Sequence, residues 1–391
     1  MDYFRAKRYL DLLPDWEVGR PAFGPIEDYL PRMRALLARL QNPQERFRSL
    51  IVGGTNGKGT VASLLAAFLQ ADGHQVGMYT SPHLHTQRER IRVGSEVLHK
   101  DRWAEAVAHL DDCTRDFEAE GLGPFSKFEA LTGLAAWFFA QQRVEFGIFE
   151  VGLGGRYDAA NAWDSELAIL TSVGLDHMEF LGDTIAEIAA DKLDIIRPGG
   201  TLVTSAVQDS EVVALARRTC AERQVELHMV EGDWTLSALA GRPATYGQNA
   251  GLALEAAERL CGKFATERVA EVVENHRWPG RFETAQNEPL VLLDGAHNPA
   301  SATALADDLR QQGRDWVVVV GAATGHDAEG IVRALVPMAS RFVLTSSAHP
   351  RAVDPAVLAA LVPDGLAAEV LPVCARAFAR AVELAGARGR V

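Results

Sequence analysis

Residues 53–60 read Gly-Gly-Thr-Asn-Gly-Lys-Gly-Thr, between the apolar Leu50-Ile51-Val52 and an apolar run beginning at Val61. Binding a polyphosphate takes four things. Glycines let backbone N–H groups approach the anion, a helix N-terminus adds its dipole, a lysine neutralises charge, and a hydroxyl can meet a divalent cation. Thr55, Asn56, Gly57, Lys58, Gly59 and Thr60 supply all four in a strand–loop–helix setting. The spelling is not the standard one. Val52 stands where a glycine is usual five positions before Gly57, and Gly59 stands where Ser or Thr usually follows the lysine. A plain turn is the competing reading, but plain turns rarely combine this many glycines with Lys and Thr.

Three further groups follow strand-like runs. Glu150 ends the apolar Phe146–Val151 stretch, ahead of Gly152-Leu153-Gly154-Gly155. Ser81 follows a run ending at Thr80, and His177 follows one ending at Ser172. In a parallel sheet all three fall on the carboxyl edge that also carries the glycine loop, where ligands bind. A carboxylate, a hydroxyl and an imidazole beside a polyphosphate make a reasonable Mg2+ site. Each alone reads equally well as an ion-pair partner or a satisfied loop residue; their convergence on the loop favours the site. Lys192, in DKLDIIRPG on a helix pattern, reads from its residues alone as a surface or ion-pairing lysine. No convincing Ser-His-Asp or Cys-His arrangement stands out.

The elements that position these groups alternate in type. Apolar spacing predicts a helix over 26–40 interrupted at Pro31, a strand over 47–52, a helix over 60–71 stopped near Gly73, and a strand over 76–80. A long apolar helix spans 128–142, with strands at 146–151 and 167–172, and the pattern repeats over 201–230. After His276-Arg277-Trp278-Pro279-Gly280-Arg281 it restarts, with strands at 290–293, 316–321 and 341–346 and helices at 299–311 and 328–338. Such alternation implies βαβ units. The fold class is α/β with two domains. A P-loop-type, mainly parallel sheet domain occupies 1–277, and a smaller Rossmann-like α/β domain occupies 278–391.

The chain has 391 residues, 48% hydrophobic and 23% charged, with net charge −13 and no long basic run. That argues against a generic nucleic-acid or anionic-membrane surface. Cys113, Cys220, Cys261 and Cys374 are far apart with no metal-ligand spacing, which suits free thiols in a reducing compartment. The N-terminus is too charged for a signal peptide, and no apolar run approaches a membrane span, so a cytoplasmic protein is expected.

The loop variant TNGKGT, together with NPQERF (42–47), YTSPHL (79–84), RERIRV (88–93) and FEALT (128–132), resembles the Mur ligase family. Within it, the resemblance is to the folylpolyglutamate synthase/dihydrofolate synthase enzymes. EVGLGGRYDAAN (150–161), the long stretch from Thr171 to Gly199, PGRFE (279–283) and DGAHNP (294–299) extend it over roughly residues 1–385. The resemblance implies an ATP-dependent ligase that joins L-glutamate to dihydropteroate or to a reduced folate through an acyl phosphate. It implies ATP and two Mg2+ ions. Lys58 and the loop backbone would hold the β- and γ-phosphates, with Thr60, Ser81 and Glu150 around the first ion. His177 and Lys192 would belong to the second, the lysine carbamylated. Asn249, Arg281, Asp294 and His297 would reach the nucleotide from across the domain gap, and a monomer is expected.

Alternatives are another Mur-type amide ligase acting on a different carboxylate, a P-loop NTPase without ligase activity, and an inactive binding protein. Four departures from the family pattern stand out. Arg88 replaces an asparagine; Thr245-Tyr246 replaces His-Gln before Gln248-Asn249-Ala250; the segment between Asp233 and Asn249 is short; and the sequence stops at Arg390-Val391, so the C-terminal domain is expected to lack its last strand.

Overall fold

A computed structural model describes residues 1–19, 24–94, 96–121, 123–232, 239 and 242–391. The chain forms two compact units, Met1–Leu239 with Tyr246–His276, and Ala240–Thr245 with Arg277–Val391.

The first unit is built on a sheet of β1 (Arg48–Gly53), β2 (Val76–Tyr79), β3 (Ile91–Val93), β4 (Glu96–Val97), β5 (Phe146–Glu150), β6 (Leu167–Leu170), β7 (Thr201–Ser205) and β8 (Glu226–Val230), in the order β4-β3-β2-β5-β1-β6-β7-β8. β3 and β4 are antiparallel additions at one edge, and the other neighbours are parallel. Chain order reverses at β1, so the crevice beyond its carboxyl end is the switch point where such sheets bind ligands. Its helices are α1 (Tyr3–Leu12), α2 (Tyr29–Arg39), α3 (Lys58–Ala71), α4 (Lys100–Cys113), α5 (Lys127–Gln141), α6 (Met178–Leu181), α7 (Ile185–Leu193), α8 (Ser210–Arg223), α9 (Ala244–Cys261, in this unit from Tyr246 on) and α10 (Thr266–Asn275).

The central strands are buried along almost their whole length because helices cover both faces, which is why they read as continuous apolar runs. Phe149 on β5 meets Phe139 at 5.5 Å and Trp163 at 4.9 Å between ring centroids, and Trp163 Nε1 donates to Ser49 Oγ on β1 at 2.8 Å. This aromatic layer fixes β5, and with it Glu150, beside β1.

The second unit contains a hairpin of β9 (Glu283–Asn287) and β10 (Leu290–Leu293), and a parallel sheet of β11 (Trp316–Val320), β12 (Ala339–Ser346) and β13 (Ala367–Val373). Its helices are α11 (Pro299–Gln312), α12 (Ala328–Leu335), α13 (Pro355–Ala359) and α14 (Cys374–Ala385). Arg390 bridges in parallel to both Leu290 and Trp316, and Val391 N donates to Leu290 O at 2.8 Å, so residues 389–391 lie between β10 and β11 in the position of a strand.

The two-unit α/β architecture therefore matches the sequence reading. One local expectation needs correcting. Pro31 does not interrupt α2, because it lies in the first turn, where its missing N–H has no intrahelical acceptor to lose. The segment from Asp233, read as short, falls largely outside the described residues. No helix among those described is long and apolar enough to cross a membrane.

Two polar ties hold the first unit's outer helices. Arg32 on α2 is fully buried and donates to Glu129 through Nε (2.8 Å) and Nη2 (3.1 Å). Glu129 also accepts from Ser126, the N-cap of α5, by N and Oγ, both at 2.7 Å. On the other side Tyr246 Oη contacts His276 Nδ1 at 3.0 Å, and His276 Nε2 contacts Ser63 Oγ on α3 at 2.7 Å. Removing one partner of a buried ion pair strands the other charge, so Arg32→Met should lower unfolding stability by about 3–5 kcal/mol. Urea denaturation followed by tryptophan fluorescence measures it; a loss under about 1 kcal/mol would show that Glu129 finds compensation elsewhere.

Candidate active site

The glycine loop leaves β1 and enters α3 at Lys58, two residues earlier than the apolar pattern alone suggests. Gly57, the N-cap of α3, has φ +91°, and Gly54 has φ +137°. A Cβ at Gly54 would also lie 2.0 Å from Thr171 Oγ1, so both conformation and space exclude a side chain there. The loop is tied to the chain leaving β6. Thr55 N donates to Ser172 O at 2.8 Å, Thr55 Oγ1 to Gly174 O at 3.2 Å, and Ser172 Oγ to Asn56 O at 3.3 Å.

Lys58 Nζ donates to Gly54 O at 3.1 Å and to Thr55 O at 3.0 Å. Lys192 Nζ donates to the same Gly54 O, also at 3.1 Å. Two lysines 134 positions apart in the chain thus converge on one carbonyl of the loop. Lys192 is 4% exposed, which overturns the reading of it as a surface residue. Burial first, and then the neighbouring Lys58 ammonium, push its pKa down to about 7, so near neutrality much of it is the nucleophilic free amine. Gly154 and Gly155 make this placement possible. A Cβ on Gly155 would fall 2.9 Å from Lys192 Cα, so the loop after Glu150 rests directly on the α7 backbone.

Glu150 ends β5 and is 4% exposed, and its Oε2 accepts from Ser81 N at 2.9 Å. The carboxylate thus joins two of the strand ends named from the sequence. Thr60 is buried in the first turn of α3. His177 has φ +50° and is half-buried, and its backbone N donates to Asp176 Oδ1 at 3.0 Å. Asn249 needs a correction. It lies in the first unit rather than across a gap, because α9 brings its carboxamide over the loop, where a Cβ on Gly57 would be 2.5 Å from Asn249 Oδ1.

The second unit gathers its own cluster. Asp294 Oδ2 accepts from Phe282 N and Oδ1 from Ala296 N, both at 2.8 Å. A Cβ on Gly295 would be 2.1 Å from Arg281 Nη1, so the guanidinium lies over that backbone. His297 Nδ1 contacts Gly295 O at 3.0 Å, and its ring meets His326 edge-on at 5.3 Å.

Sequence reasoning missed Asp158, Asp191 and His326. Asp158 is buried and gathers Gly152 N (2.9 Å), Leu153 N (3.3 Å) and Ala160 N (2.9 Å), which shapes the glycine-rich turn after Glu150. Burial pushes its pKa up to about 6 despite those donors. Asp191 Oδ1 is buried without a hydrogen-bond partner among the described residues, and burial raises its pKa too. The Gly-rich stretch around Asp158 and the Gly-His-Asp after β11 were the available signals. The described hydroxyl and carboxylate oxygens at the loop edge are hard donors, the kind Mg2+ prefers, and the Asp191 carboxyl, with one buried oxygen unpartnered among the described residues, lies next to Lys192 in the chain.

Residues 280–391 match the family described as Mur ligase, glutamate ligase domain. The dihydrofolate synthase/folylpolyglutamate synthase of Bacillus subtilis (strain 168) is 33% identical over 367 residues, covering 86% of this chain and 85% of that protein. Among solved structures, the Mycobacterium tuberculosis folylpolyglutamate synthase complexed with ADP aligns with TM-score 0.89 and 27% identity, over 98% of this chain and 91% of that one. A bifunctional folylpolyglutamate synthase/dihydrofolate synthase with Mn, AMPPNP and L-glutamate bound aligns with TM-score 0.83 and 27% identity, over 100% of this chain and 94% of that one. The phosphate-loop geometry, the two-unit α/β fold and these likenesses agree: the chain belongs to the dihydrofolate synthase/folylpolyglutamate synthase family of Mur ligases.

Proposed function

We propose that this chain joins L-glutamate to dihydropteroate, or to the glutamate tail of a reduced folate, at the expense of ATP. The observation that carries the reading is the convergence of Lys58 and Lys192 on the Gly54 carbonyl just before the N-terminus of α3, together with the Glu150–Ser81 pair. A carboxylate is a poor electrophile, and its attack on a γ-phosphate brings two anions together. Charge neutralisation is therefore the dominant demand. The substrate carboxylate displaces ADP to form an acyl phosphate. The glutamate amine then adds to the acyl carbon, the nitrogen gives up a proton to solvent, and phosphate leaves with the C–O bond pair.

The chain's residues divide this work. Thr55, Asn56, Gly57, Lys58, Gly59 and Thr60 bind the phosphates, with Lys58 opposing the charge of the transferring group. Asn249 orients the loop from α9, and Arg281, Asp294 and His297 are read as nucleotide-binding. Thr60, Ser81 and Glu150 would hold one Mg2+, and His177 with Lys192 a second. Bound there, Mg2+ supplies Lewis acidity toward phosphate oxygens. A carbamylated Lys192 would exchange a buried cation for an anion; the free amine adds to CO2 and loses a proton, which a pKa near 7 favours. Residues 1–277 are read as the ATP-binding domain and 278–391 as the glutamate ligase domain. The protein is further read as a cytoplasmic monomer without nucleic-acid partners; net charge −13 supports the last point and four dispersed cysteines a reducing compartment.

Phosphate release should require ATP, glutamate and dihydropteroate or a reduced folate together. Release with ATP alone would favour an NTPase. Lys58→Ala should lower turnover by about 10³-fold, since it removes the loop's cation; near-normal turnover would dissociate the loop from catalysis.

Lys192→Ala should lose activity that small carboxylic acids partly restore. In the unmodified chain turnover should fall as pH drops below about 7, where the amine becomes protonated, and added bicarbonate should soften that fall. A fully active Lys192→Ala, or a pH profile indifferent to bicarbonate, counts against the carbamate.

A further inference from the structure

At the opposite end of α3 a second group of ligating side chains comes together. Asp72 follows the last residue of α3, His74 lies in the turn into β2, and Cys261 is the last residue of α9. Each offers one donor atom, and these atoms all lie within 4.8 Å of one another. Cys261 Sγ is 3.2 Å from His74 Nε2, and Asp72 Oδ2 is 3.5 Å from the same nitrogen. A tetrahedral zinc ion, with Zn–S about 2.3 Å and Zn–N and Zn–O about 2.0–2.1 Å, needs S···N near 3.6 Å and N···O near 3.4 Å. The existing spacing is within a few tenths of an ångström of both.

His74 is already oriented for such a role. Its Nδ1 is 3.0 Å from Glu145 Oε2. In the tautomer that donates Nδ1–H to this carboxylate, Nε2 presents its lone pair on the side of Cys261 and Asp72. Glu145 is fixed in turn, because its Oε1 accepts from Gln75 N at 3.1 Å. The ring also stands edge-on to Phe146, centroids 5.1 Å apart. A carboxylate that sets the tautomer of a ligating histidine is the usual support of a zinc site. Arg268 Nη1 donates to Asp72 Oδ1 at 2.7 Å, which leaves Oδ2 for the cluster. His74 and Cys261 are half-buried and Asp72 is exposed, so an ion can enter from solvent.

We propose that Asp72, His74 and Cys261, with Glu145 orienting the imidazole, form a site for one divalent transition ion of the zinc class. The mixed N, S and O donors favour such an ion over Mg2+. On binding, the Cys261 S–H bond breaks, the sulfur pair coordinates the metal and the proton passes to solvent. Burial holds the thiol pKa up, with the Asp72 carboxylate adding to it, and a cation among these groups reverses that bias. The 14 residues of α3 place the cluster about 20 Å from Lys58, so it is separate from the nucleotide loop. A metal there would clasp the ends of α3 and α9 to the start of β2.

The test is Co2+ titration of the full-length, reduced, chelator-treated chain in excess Mg2+. One equivalent should produce a thiolate-to-cobalt charge-transfer band that an equivalent of Zn2+ displaces. Cys261→Ser should abolish the band, and Glu145→Gln should weaken affinity about 10- to 100-fold. The catalytic donors proposed above include no sulfur, so a band lost in Cys261→Ser reports this cluster whether or not that assignment holds. No band at saturating cobalt, or a band undiminished in Cys261→Ser, overturns the proposal; the contacts would then be an ordinary S–H···N hydrogen bond. Zn2+ in hundredfold excess over its Kd should also raise the wild-type Tm by about 5 °C, and an unmoved Tm overturns it as well.

Discussion

The active end of the first unit is organised around a concentration of positive charge. The Lys58 and Lys192 side chains donate to one backbone oxygen at the mouth of a helix whose own N-terminus is positive. Burial, and then the neighbouring Lys58 ammonium, disfavour a charge on Lys192 and hold its pKa down to about 7. The structure holds the arrangement by surrounding it. The loop is tethered to the residues after β6, the Gly154–Gly155 turn lies on the α7 backbone, Asp158 is buried, and the half-buried Asp191 precedes Lys192 in the chain. If the loop is the polyphosphate site proposed above, the cost of its cationic character is met before the ligand arrives.

Topology explains why these groups meet. β1 is the strand at which connection order reverses, and its neighbours β5 and β6 deliver Glu150 and the Thr171–Gly174 segment to the same edge. β2, next to β5, delivers Ser81, whose backbone N–H reaches the Glu150 carboxylate. The mutual placement of these groups thus rests on strand register, which the aromatic layer of Phe139, Phe149 and Trp163 protects.

Much of this was legible in the sequence. The apolar runs fixed the central strands to within a residue or two, and the loop, Ser81, Glu150 and His177 were readable as strand-end groups. What was not legible depended on distance in space. Lys192 sits between Asp191 and Leu193 with Asp194 next, so nothing local marks a lysine there as buried; only the packing of Gly155 onto α7 does. Asn249 was assigned to the wrong side because nothing in the chain shows α9 returning along α3. Asp158 looks like any turn aspartate until its three N–H donors are seen. The antiparallel β3 and β4, two or three residues long, are too short for a periodic signal.

The Tyr246–His276 contact has a further bearing on how the molecule tolerates change. These residues mark the two ends of the segment that the chain lends back to the first unit. Joined to each other and, through Ser63, to α3, they give that loaned segment a common root. A substitution at either would therefore be felt at both of its exits, and through α9 at the carboxamide lying over Gly57.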